Sequence, residues 1–166
     1  MRTIAILAGL VLTTAVAAGP VELKHYPLDS LEGVITRTGV KLDPKVSSDG
    51  HGSLRISARG PMRVMLFETG DIDVENARLI YKARLKTLRT RGDVYLEMWC
   101  HFPGQGEYFS RGLQYAVGGT TDWTSVETMF FLRQGENPDN VKLNLVIKGR
   151  GRVWIDDIHL VKAPLE

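Results

Sequence analysis

The sequence predicts an all-β protein, an antiparallel β-sandwich closed as a jelly roll, and three observations carry that prediction. Short stretches alternate apolar and polar residues, as in Leu54-Arg55-Ile56-Ser57-Ala58 and Val141-Lys142-Leu143-Asn144-Leu145, the period-2 pattern of strands with one buried face. Clusters of Gly, Pro, Asp and Asn separate these stretches at short spacing, which is the punctuation of turns. Beyond residue 18 no window carries the 3.6-residue period of a helix. Strands of this kind bury one face each by packing sheet on sheet, and a jelly roll closes such an arrangement.

The chain has 166 residues, enough for one self-sufficient core. Its start reads as a secretory signal peptide over residues 1–18: Arg2, an apolar run from Ile4 to Leu12, then the small residues Ala15-Val16-Ala17-Ala18. The apolar run falls short of the roughly 20 residues a membrane-spanning helix needs. The expectation is a secreted or periplasmic single domain over residues 19–166. Of 21 basic and 19 acidic residues, only Arg2 lies in the leader. The exported part is nearly neutral, which argues against a nucleic-acid partner. Cys100 is the one cysteine, so no internal disulfide can form.

The elements follow in order. Residues 19–44 read as an irregular lead-in with one or two edge strands, and Lys45 to Gly52 as a turn. Strands are expected over 54–59 and 62–68. Leu79, Tyr81, Ala83 and Leu85 mark another, ending at Arg89-Thr90-Arg91-Gly92, which reads as a solvated hairpin tip. Val94, Leu96, Met98, Cys100 and Phe102 form the most regular apolar stripe. Pro103 to Gly112 reads as a loop, residues 113–117 as a short strand, and residues 126–133, 141–148 and 149–161 as the last three strands.

Three pieces in this order resemble a known family: Ser48-Asp49-Gly50-His51-Gly52-Ser53-Leu54-Arg55-Ile56, then Thr121-Asp122-Trp123-Thr124 with Phe131 beyond it, then Gly151-Arg152-Val153-Trp154-Ile155-Asp156-Asp157-Ile158-His159-Leu160. Together they resemble the galactose-binding-like β-jelly-roll domains, in particular the CenC-type carbohydrate-binding modules of secreted glycan-active proteins. The resemblance implies a structural calcium held by an Asp of the final strand. Carried onto this chain, the candidate ligands are Asp156 or Asp157, Asp49 and Glu32, hard oxygens from distant segments of the kind Ca²⁺ accepts. The alternative is a carboxylate hydrogen-bonded to loop amides. Ser30-Leu31-Glu32 departs from the family's commoner Phe-Glu pair at that point.

Function is read from one strand face. Tyr95, Glu97, Trp99 and His101 alternate opposite the apolar stripe, so they stand in one row. Aromatic planes beside hydrogen-bonding groups suit sugar rings. Lys82, Arg84, Asn144 and Lys148 on neighbouring strands would extend the row toward an acidic or heavily hydroxylated glycan. The competing reading is that the Gly104 to Gly112 loop covers Tyr95 and Trp99, which then simply pack. The expectation is therefore a non-catalytic module for a carbohydrate, with an envelope protein as the alternative partner and a small glycan-active enzyme as the third reading.

Asp71-Ile72-Asp73-Val74-Glu75 has the alternating acids of a laminarinase-type catalytic strand, but Asp71 stands where the nucleophilic Glu would be. No nucleophile elbow, phosphate loop or His-Glu-x-x-His is present. His25, His51, His101 and His159 are far apart in sequence, so their spacing does not point to zinc. Adjacent positions such as Asp156 and Asp157 face opposite ways unless a bulge re-aims one. One is expected to anchor an ion or a loop while the other meets solvent.

Overall fold

A computed structural model describes residues 19–165, and the leader read over residues 1–18 lies outside them. The described chain forms nine antiparallel strands: β1 (Val21–Tyr26), β2 (Val40–Asp43), β3 (Ser53–Ala58), β4 (Met62–Gly70), β5 (Ala77–Phe102), β6 (Gly106–Arg111), β7 (Val117–Leu132), β8 (Asn140–Ile147) and β9 (Arg150–Ala163). They make one curled sheet, in the order β2-β3-β9-β5-β8-β4, with β1 on β9 and both β6 and β7 on β5. It is a β-sandwich. Among the described residues no helix is long and apolar enough to cross a membrane.

The long strand β5 makes one sheet into two layers. Its first part, Arg78 to Arg91, pairs with β9, and Ala77 to Leu85 runs beside β7; its second part, Val94 to Phe102, pairs with β8 and β6. Between them the register shifts, and Arg89 and Gly92 take positive φ (52° and 87°). The core-facing set is Leu79, Tyr81, Ala83 and Leu85 before the shift and Val94, Leu96, Met98, Cys100 and Phe102 after it. The parity of the buried positions changes, so a single strand can keep its apolar side inward while passing from one layer to the other. Arg89 to Gly92 is therefore a crossing within one strand, not the hairpin tip that its basic composition implied.

That crossing explains the glycines ahead of β9. A Cβ on Gly149 would lie 1.6 Å from the Arg91 carbonyl oxygen, and one on Gly151, at φ 146°, 2.6 Å from Thr90 Cα. Backbone passes over backbone there, and only glycine leaves the room.

Two further expectations change. Gly106 to Arg111 is strand β6 beside β5, not a covering loop, and the turn before it is just Pro103-Gly104-Gln105. Leu113–Tyr115 is one 3-10 turn rather than a strand, and Val117–Leu132 is continuous. The core joins both layers through Leu54, Ile56, Leu66, Leu79, Tyr81, Leu96, Met98, Leu143, Leu145, Ile155, Ile158 and Leu160. Cys100 lies within it, and burial pushes its thiol pKa up to about 12, which keeps it an unreactive thiol.

Candidate functional site

The row opposite the core stripe of β5 becomes the centre of a four-strand outer face. Pairing sets Val146, Asn144, Lys142 and Asn140 of β8 opposite Tyr95, Glu97, Trp99 and His101, and Arg111, Phe109 and Glu107 of β6 on the other side opposite Glu97, Trp99 and His101. Beyond β8, β4 adds Arg63 opposite Val146 and Met65 opposite Asn144. Of the residues read from the sequence, Tyr95, Glu97, Trp99, His101 and Asn144 come together here. Arg63, Met65 and Arg111 join them without having been anticipated, and Phe109, an aromatic of the stretch read as a loop, joins them as well.

Glu97 organises this face. It is fully buried, which a carboxylate tolerates only when paired and hydrogen-bonded. Arg111 Nε donates to Oε2 at 2.7 Å and Trp99 Nε1 to Oε1 at 2.9 Å, and Arg63 forms an ion pair, its Nε 2.7 Å from Oε1. Burial alone would raise the carboxyl pKa; the Trp99 and Arg111 hydrogen bonds and the charges of Arg63 and Arg111 outweigh it and hold the group below the usual range. Glu97 is an anionic hub that fixes the indole ring and two guanidinium groups.

The aromatic surface is built on that hub. Trp99 is half-buried, with the Phe109 ring 5.0 Å away and tilted 44°, and with Arg63 5.9 Å over the indole. Arg111 lies 4.3 Å over Phe109, whose ring is 49% exposed. Tyr95 is buried. The β6 hairpin thus widens the face beside Trp99 instead of closing over it, whereas the buried Tyr95 presents no surface to a ligand.

Most charges here already have partners. Lys142 Nζ donates to Glu107 Oε1 at 2.5 Å, Asn140 Nδ2 to Glu68 Oε1 at 2.6 Å, and His101 Nδ1 lies 2.6 Å from Asp139 Oδ1. Asn144 is different. It is 3% exposed, directly opposite Glu97, and its Oδ1 has no hydrogen-bond partner. An orphaned buried acceptor is costly unless something donates to it.

Lys82 and Arg84 do not reach this face. They belong to the first part of β5, where Lys82 pairs with Glu127 and His159, and Arg84 with Ser125 and Asp156. The Arg84 guanidinium donates to Ser125 Oγ (2.8 Å) and to the Trp123 carbonyl (3.2 Å). They line a separate cavity of about 270 Å³ with Tyr115, Glu127, Asp157 and His159. Lys148 follows the end of β8 as an exposed residue whose N–H donates to Asp93 O.

The four calcium candidates also divide. Asp156 is fully buried; Ser48 donates to its Oδ2 through both N–H (2.7 Å) and Oγ (2.8 Å), and the Asp157 N–H donates to Oδ1 at 2.9 Å. Burial nevertheless leaves its pKa raised. Asp49 is linked to it only through Ser47 Oγ, at 2.7 Å and 3.5 Å, and turns to the His51 N–H. Glu32 lies in the lead-in, lining a hollow with Glu68, and Asp157 turns to His25 and His159. Around Asp156 the present groups are N–H and O–H donors, which fit a hydrogen-bonded carboxylate and not an oxygen-rich calcium cage.

The Asp156-Asp157 pair sits at a bulge. Asp157 has φ 52°, and β9 carries one extra residue opposite Ala83. Buried core positions are Val153 and Ile155 before it, Ile158 and Leu160 after it. Both aspartates therefore turn to the outer side of β9, Asp156 under the Ser47-Ser48 loop. The segment 71–75 is not a strand: Asn137 Nδ2 donates to Asp73 Oδ1, and the Gly135 N–H to Glu75 Oε2. These two acids tie down the 133–137 turn.

No known protein family or curated protein matches the chain by sequence. Solved structures match it by shape. The CBM22-1 xylan-binding domain of Paenibacillus barcinonensis Xyn10C superposes with a TM-score of 0.64 at 16% identity, over 90% of this chain and 99% of that one. The xylan-binding domain from CBM 22 gives 0.56 at 13%, over 90% and 97%. A Clostridium thermocellum xylanase carrying a CBM22-1 module, solved with xylohexaose, gives 0.62 at 12%, over 86% of this chain and 28% of that one. The chain shares the β-sandwich fold of these carbohydrate-binding modules.

Proposed function

We propose that the protein is a secreted, non-catalytic carbohydrate-binding module whose glycan lies on the β4-β8-β5-β6 face, across Trp99 and Phe109. The observation that carries this reading is the half-open Trp99–Phe109 platform, fixed by Glu97, on one outer face. A sugar offers the complement, an apolar C–H face that stacks on aromatic rings while its hydroxyls meet the polar rim. The likeness to CenC-type and galactose-binding-like modules belongs to this proposal, as does export through cleavage after the leader.

The charge pairing narrows the ligand. Arg63 and Arg111 share the one carboxylate of Glu97 and Lys142 pairs with Glu107, while Glu68 and Asp139, bonded to Asn140 and His101, bring the face to three basic against four acidic side chains and leave it little attraction for an acidic chain. With Lys82 and Arg84 elsewhere, a neutral glycan fits better than the acidic one that their inclusion favoured. Xylan is the first to try, because modules of the same fold carry xylan-binding names. Affinity electrophoresis of the protein through gels containing neutral and acidic polysaccharides is the test: retardation by a neutral polysaccharide is expected, and free migration through all of them leaves the envelope-protein partner as the better reading.

A further inference from the structure

The first and last strands carry a second constellation, remote in sequence and unrelated to the glycan face. β1 lies antiparallel on β9 with His25 directly opposite His159. Their rings stack at 4.3 Å, 7° from parallel. The bulge at Asp157 brings its Oδ1 within 2.9 Å of both Nε2 atoms, and a register shift between Glu22 and Lys24 brings Glu22 Oε2 to His159 Nδ1 at 2.5 Å. Ligand atoms of Glu22, His25 and His159 lie within 4.8 Å of one another; among the described residues this is the one grouping of three His, Cys, Asp or Glu side chains that converges so closely.

We propose that Glu22, His25 and His159 bind a divalent transition-metal ion of the zinc class, which fastens β1 to β9. Two imidazoles and a carboxylate suit Zn²⁺, Ni²⁺ or Cu²⁺ rather than Ca²⁺ or Mg²⁺. Asp157 supplies the outer carboxylate that orients ligating histidines. The site is reachable from solvent, with side-chain exposures of 51% for Glu22, 41% for His25 and 20% for His159. In the stacked arrangement the two ring lone pairs run side by side, so the more exposed His25 turns about its side-chain torsions to meet the ion. The metal replaces the proton between His159 Nδ1 and Glu22 Oε2, and that proton leaves to solvent. Two bulges in neighbouring strands aim these groups at one point, whereas the spacing of the histidines in sequence argued against zinc.

The proposal does not rest on the glycan reading, and its variants leave the Trp99 face untouched. The test is thermal unfolding and equilibrium dialysis of the untagged full chain with Zn²⁺ alone. One ion per chain is expected, with the midpoint rising by about 5 °C or more at a hundredfold excess over Kd. His25→Gln and Glu22→Gln, both at exposed positions, should each weaken zinc binding by about tenfold or more. Asp49→Asn should leave it unchanged. No bound zinc up to millimolar concentration overturns the site, and so does undiminished binding in the His25→Gln/Glu22→Gln double variant.

Discussion

β5 presents two outer faces, one on each layer, and they differ in kind although one strand builds both. On the first part, Lys82, Arg84 and Lys86 meet β7 and β9, where Lys86 pairs with an exposed Asp122 at 2.6 Å and Arg84 caps backbone and hydroxyl groups. These are solvated contacts, screened by water and salt. On the second part a buried acid draws two arginines and an indole into one network. Charge at the surface is inexpensive and leaves side chains mobile, while charge under cover must be satisfied completely and so fixes whatever satisfies it. A rigid aromatic platform results on one face only.

The largest expected effect breaks the hub. Glu97→Ala should cost about 3 kcal/mol, because Arg111 and the indole N–H lose their acceptor and Arg63 its counter-charge, and glycan binding should go with it; chemical denaturation reads the first and gel retardation the second. The same hub predicts a pH dependence. Glu97's folded pKa is depressed, so its stabilisation is complete above the unfolded value of about 4.3 and is lost as pH falls through the lower folded value. Acid unfolding of the wild-type chain should show this loss, and Glu97→Gln should lack it.

A smaller effect is expected at the other buried acid. Asp156→Ala leaves the Ser48 and Asp157 N–H groups without their acceptor and should cost about 2 kcal/mol. The hydrogen-bonded arrangement also predicts that the thermal midpoint is the same in calcium and in chelator. A calcium-dependent rise would instead support the ion that the sequence resemblance implied, since ligands of the folded state stabilise it by mass action. The smallest effect completes the comparison: Lys82→Ala and Arg84→Ala should stay within about 0.5 kcal/mol of wild type and leave glycan affinity unchanged.

Much of this contrast was legible in the sequence, and the rest was not for definite reasons. The stripe from Val94 to Phe102 and its opposite row from Tyr95 to His101 follow from strict alternation, which a single strand determines by itself. That one of Asp156 and Asp157 anchors an ion or a loop follows from the cost of a buried carboxylate; that it is Asp156, held by Ser48, is read only from the fold. Lys82 and Arg84 were misplaced because a register shift at Arg89 to Gly92 cannot be seen in residue types that also make turns. The strand pairing of Phe109 and Arg111 was hidden in a Gly-rich stretch that read as a loop. Treating Pro103-Gly104-Gln105 as a tight hairpin turn would have set them opposite Trp99 and Glu97, since pairing runs back from Phe102 and Gly106. Arg63 and the His25–His159 pair depend on strands distant in sequence, and only the fold brings them together.

The central claim is that the β5 face with the buried acid binds sugar and the face with surface charge does not. Isothermal titration with a neutral xylo-oligosaccharide, comparing wild type, Trp99→Ala and the Lys82→Ala/Arg84→Ala double variant, tests it most directly. Saturable binding by wild type and by the double variant is predicted, with Trp99→Ala weakened by about thirtyfold, the loss of about 2 kcal/mol of stacking, when measured at a temperature where all three chains are folded. Equal affinity in Trp99→Ala and wild type, or loss of binding in the double variant alone, would contradict it.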